Sequence, residues 1–141
     1  MSWDVSIQKF SCSYESISDI GEDEKGLPLG PRNVVHDAVS KIFPSTDWTD
    51  PAWGVWDSEF GSIEFNVGAD PAEGMMLHVR AEAAVVPAIA QLCAENGWQG
   101  IDCSSGAFIE KAEHPEEGLL AWRAYRDRVV SPGASEQPSR P

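Results

Sequence analysis

Two alternating stretches constrain this chain more than anything else in it. Ile63, Phe65 and Val67 alternate with Ser62, Glu64 and Asn66. After Gly68-Ala69-Asp70-Pro71-Ala72-Glu73-Gly74, a run of turn-forming residues, Met75, Leu77 and Val79 alternate with Met76, His78 and Arg80. Successive side chains of a strand point to opposite faces, so period two over this length means strand, turn, strand: an antiparallel hairpin apolar on one face only. Trp3, Val5 and Ile7 repeat the pattern against Asp4, Ser6 and Gln8. A sheet with one apolar face has to be covered on that side, and helices are the cover the rest of the chain offers, so the expected class is α+β.

Three helices are legible. The first opens with Pro31 after Gly30, where a missing N–H is harmless, runs through Val34, Val35, Ala38, Val39 and Ile42 at spacings of three and four, and stops before Pro44. The second gathers Val85, Val86, Ile89, Leu92 and Cys93, with Pro87 admissible only in its first turn and Gly97 as its stop. The third spans about Pro115 to Val130, with Glu116 and Glu117 early and Arg126 and Arg128 late, as the helix dipole favours, and Leu119, Trp122, Tyr125 and Val129 as its apolar stripe. Trp98 to Cys103 reads as a short strand and Ala107 to Glu110 as a further one; Ser11 to Gly30 reads as a long loop. The order β-α-β-β-α-β plus a final helix predicts a ferredoxin-like sandwich with a mainly antiparallel sheet, and an edge strand drawn from residues 48–60 changes that order. Residues 1–130 are expected to form a single domain, and the Pro/Ser-rich residues 131–141 a disordered tail.

Charge says more about partners than motifs do. Ten Lys and Arg face 23 Asp and Glu, a net charge of −13. That excludes nucleic acid and anionic membrane as ligands, since both are held by neutralising phosphate with basic side chains. Residues 42–110 carry eleven acids and one base, Arg80. Within that stretch Trp48, Trp53 and Trp56 are interleaved with Asp47, Asp50, Asp57 and Glu59. Indole rings beside carboxylates suit a cationic protein: the ring gives contact area and a face for Arg or Lys, and the acids steer the encounter. These seven residues are therefore the expected partner-binding set. The competing reading is that the tryptophans anchor the segment to the protein's own core.

Catalytic signatures are lacking: no GxSxG, no Walker loop, no GxGxxG and no HExxH. No catalytic residue, metal site or cofactor is expected. His36 is expected to lie exposed beside the first helix's apolar face, His78 on the polar side of its strand, and His114 at the start of the third helix. Cys12, Cys93 and Cys103 form no CxxC pair, and their odd number argues for reduced thiols with Cys93 in the core. Neither a leader peptide nor a run of membrane-spanning length is read, so a cytoplasmic location is expected.

Phe43-Pro44, Asp47-Trp48, Asp50-Pro51, Ser62-Ile63-Glu64-Phe65-Asn66, Met76-Leu77-His78-Val79-Arg80, and Gly97-Trp98 with Asp102 together resemble a group of small bacterial proteins of the kind encoded beside polymorphic or secreted toxins. The likeness spans residues 27–110 and departs at Ala81-Glu82-Ala83, where glycine is more usual. It implies an immunity protein and no catalytic residues; joined to the acidic, tryptophan-bearing segment, the expectation is a module that neutralises a basic toxin, for example a nuclease, by occluding its active site. Two alternatives stay open: a small enzyme or ligand-binding domain with a Trp-lined pocket beside His78 or Asp102, and a non-catalytic adaptor or structural subunit.

Overall fold

The computed structural model describes residues 2–130, with the side chains of Val129 and Val130 left aside; the expected tail at 131–141 lies outside the described residues. Six strands form one sheet: β1 (Trp3–Gln8), β2 (Asp47–Asp50), β3 (Trp53–Ser58), β4 (Gly61–Asn66), β5 (Met75–Ala81) and β6 (Gln99–Asp102). Their order is β2-β3-β4-β5-β1-β6, and every pairing is antiparallel. Three α-helices complete the fold: α1 (Arg32–Ile42), α2 (Val86–Asn96) and α3 (Glu116–Val130). The class is α+β. The strand order differs from the four-stranded one expected, because residues 47–58 form a hairpin of their own that pairs along the whole of β4.

Register carries the alternation across the sheet. On one face Trp56, Ile63, Val79 and Trp3 line up in a row, and Gly54, Phe65, Leu77, Val5 and Asp102 in the next. Val35 and Val39 of α1, Val86, Ile89, Leu92 and Cys93 of α2, and Leu119 of α3 close on these rows to form the core. Buried apolar area of this kind is the main term holding the fold together, at about 25 cal/mol per Å². All three helices therefore lie on one side. α2 ends as expected at Gly97, whose φ of 67° is the left-handed conformation that favours glycine.

Several local expectations are corrected. Ala107 to Glu110 is not a strand: only Phe108 bridges to Ile101, and Ile109–Lys111 forms a single 3-10 turn. The reason is Glu110, whose carboxylate accepts from the Gly100 backbone N–H (2.9 Å) and from Gln99 Nε2 (3.0 Å), taking the place a strand's carbonyl would fill. Val34 is half exposed rather than on the core face, and Tyr125 is exposed; α3 covers α2 and β1 mainly through Leu119, with Trp122 packed against the rim of the core.

Candidate partner-docking surface

The side of the sheet that no helix among the described residues covers is built from the polar half of each alternation. Trp53, Asn66, Met76, Ser6 and Ile101 form one row across five strands, and Val55, Glu64, His78 and Asp4 form the row beside it. All nine are half-buried by their neighbours rather than fully solvated. The surface is locally ordered. The Trp53 and His78 rings stack with centroids 5.6 Å apart and planes 17° apart. His78 Nδ1 in turn donates to Asp4 Oδ1 (3.0 Å). Arg80, the one base in the acidic stretch, donates to Glu64 (3.1 Å) and so adds no free positive charge. The face thus sets apolar side chains (Trp53, Val55, Met76 and Ile101) among paired polar ones, with the Trp53 ring held in place by stacking on His78.

The structure splits the seven expected residues. Trp48 and Trp56 turn toward the helices, and only Trp53 reaches the open face. The Trp48 ring lies on the His36 ring (centroids 3.9 Å apart, planes 20°), donates through Nε1 to Ser40 Oγ (3.1 Å) and fills the space above Gly54. His36 is thus half-buried and stacked, not the exposed histidine expected; its Nε2 donates to the Pro51 carbonyl (2.8 Å). Trp56 meets Phe43 edge to face at 5.1 Å. These two tryptophans fasten the β2–β3 hairpin to α1.

The acids divide as well. Asp47 Oδ1 accepts from the Thr49 hydroxyl (2.6 Å) and the Thr49 N–H (2.8 Å), bonds that hold its carboxyl below the usual carboxylate range, the hydroxyl more than the N–H. Asp50 Oδ1 accepts from the Ala52 N–H (3.0 Å) and closes the β2–β3 turn. Both remain exposed and charge a short edge strand, which discourages edge-to-edge pairing. Asp57 stands on the open face opposite Ser62, and Glu59 sits exposed in the β3–β4 turn. At about 3.3 Å per residue, Asp50 and Glu59 lie at opposite ends of β3, ~20 Å apart. The set is a hairpin-long acidic margin along the open face, not one compact spot.

Residue-level reading missed the Trp53–His78–Asp4 chain. His78 was legible as a polar-side residue, but its partners depend on β1 and β3 flanking β5 and β4, which no local pattern encodes. Among the described residues, no group of three or more His, Cys, Asp or Glu side chains is placed to hold a metal ion, and no helix is long and apolar enough to cross a membrane. Comparison with protein-family models, curated proteins and solved structures returns no match.

Proposed function

We propose that this chain is an acidic protein-binding module that docks a basic partner on the open face of its sheet, and that it serves as an immunity protein occluding the active site of a basic toxin such as a nuclease. One observation carries the reading: a sheet face that no helix among the described residues covers, with Trp53, Val55, Met76 and Ile101 half-buried in it, on a chain whose residues 42–110 hold eleven acids and one base. Trp53, already stacked on His78, is the anchor, since little freedom is lost when it is covered. Asp4, Asp57 and the exposed acids of the β2–β3 hairpin accept Arg or Lys from the partner and speed the encounter. Trp48 and Trp56 act indirectly by fixing the hairpin to α1. In this reading the four strands β4-β5-β1-β6 with α1 and α2 make a ferredoxin-like unit extended by β2 and β3, the protein is non-catalytic, and it works in the cytoplasm.

The test is co-expression with the product of the adjoining reading frame, followed by binding kinetics. A complex is expected, with association slowing as salt rises and Trp53→Ala weakening it by roughly thirtyfold, the scale of an anchor residue. Failure to form a complex or to protect the cell, or a Trp53→Ala variant that binds as well as the parent, overturns the reading.

A further inference from the structure

Asp102 and Gln99 are the two buried polar side chains among the described residues, and Asp102 is only 3% exposed. Its two oxygens are treated differently. Oδ1 accepts from Trp3 Nε1 (3.0 Å), the Ser104 N–H (2.8 Å) and the Ser104 hydroxyl (2.6 Å). Oδ2 accepts from no group among the described residues, and it lies against Gly118 in the first turns of α3, where an added Cβ would overlap it. Asp102 and Gly118 both line a cavity of about 310 Å³ whose apolar wall includes Phe108, Ile109 and Ala121. The other titratable groups on its lining are His114 and Glu117, and no lysine or arginine lines it. His114 is itself flanked by Glu113 and Glu116, each 3.9 Å away.

A buried carboxyl oxygen without a donor is costly, and a hydrogen bond from a cation is the strongest way to satisfy it. We propose that this cavity binds an alkylammonium group, with an N–H donating to Asp102 Oδ2 and the carbon chain against Phe108 and Ile109. The group comes from a free aliphatic amine or from a lysine side chain offered by another polypeptide. The volume lies at the small end of ligand pockets, which suits a short chain. Asp102 belongs to the helix-covered side of the sheet, so the site is separate from the open face and does not depend on the docking reading.

The Trp3 indole N–H is a reporter on the same carboxyl. Its NMR resonance, assigned by its loss in Trp3→Phe, is followed in the full chain during titration with n-butylammonium, Nα-acetyl-lysine N-methylamide, n-butanol and butyrate. A saturable shift is expected with n-butylammonium and none with the alcohol or the acid. A shift with the lysine derivative as well assigns the site to a polypeptide side chain; its absence assigns it to a free amine. Asp102→Asn should weaken amine binding by about tenfold or more. Ala121→Trp, at an exposed position on the cavity wall, should abolish binding while leaving the Trp3–Asp102 bond intact, and so keeps the test decisive if Asp102→Asn folds poorly. No saturable shift with either amine, butanol binding as tightly as butylammonium, or full binding by Ala121→Trp overturns the proposal.

Discussion

Replacing Gly54 by alanine tests how the β2–β3 hairpin is held. A Cβ at this position would lie 2.5, 2.6 and 2.8 Å from three carbons of the Trp48 ring. That ring is rigid and held by its neighbours: His36 stacks on it, Ser40 Oγ holds its Nε1, and Phe65 lies 6.2 Å away. In a strand without such a neighbour, Gly→Ala stabilises by about 0.4–1 kcal/mol, because the unfolded chain loses freedom. Here overpacking costs about 1–3 kcal/mol and outweighs that gain, so a net loss of about 1–2 kcal/mol is expected. For a chain of this size that lowers the melting temperature by roughly 4–8 °C. Urea denaturation of the parent, Gly54→Ala, Trp48→Ala and the double variant closes the cycle. With the indole gone the clash is gone, and Gly54→Ala should become neutral or stabilising. A stabilising Gly54→Ala in the parent background would refute the packing described, as would an identical effect in both backgrounds.

Other predictions concern pH, packing and thiols. Glu24 accepts from Ser11 Oγ and Tyr14 OH (2.7 Å each), which lowers its pKa to about 2, Ser11 contributing most, and raises that of Tyr14 to about 12, chiefly through the same Glu24 bond. The depressed acid stabilises the fold above its unfolded pKa and loses that contribution as pH falls from about 4.5 toward about 2; the raised phenol loses its contribution as pH rises from about 10 toward about 12. Glu24→Gln should therefore be less stable than the parent at neutral pH, with the difference vanishing at the acid end, as read from denaturation midpoints against pH. Gly118→Ala should destabilise, because its Cβ overlaps Asp102 Oδ2; a variant as stable as the parent in urea would contradict the buried position of that carboxyl. Iodoacetamide should modify exposed Cys12 and Cys103 in the native protein and reach Cys93 only on unfolding, since Cys93 is buried and burial pushes its thiol pKa up; mass spectrometry of timed samples decides.

The strands β1, β4 and β5 were legible because period two is a local signal, and α1 and α2 because proline and glycine mark their ends. What was not legible depended on pairing. Trp53 and Trp56 are three residues apart, so one strand has to send them to opposite faces, and an edge strand placed only as lying within residues 48–60 leaves that split unseen. The side taken by Trp48 depends on the hairpin register and on the room Gly54 leaves. Asp102 contradicts simple patterning, since its carboxylate faces the core while Ile101 faces outward. The Trp3 indole N–H and the Ser104 donors make that burial tolerable, and both are invisible until the sheet is assembled. The acidic margin was legible as composition. Its spread along a hairpin followed only from the fold.

The most direct measurement of the central claim is a map of backbone and indole NMR shifts as the adjoining gene's product is added. The account expects the largest changes at Trp53, Val55, Glu64, Met76, His78 and Asp4, with α1 and α2 left nearly unchanged. Changes concentrated on the helices, with the Trp53 indole unmoved, would contradict it.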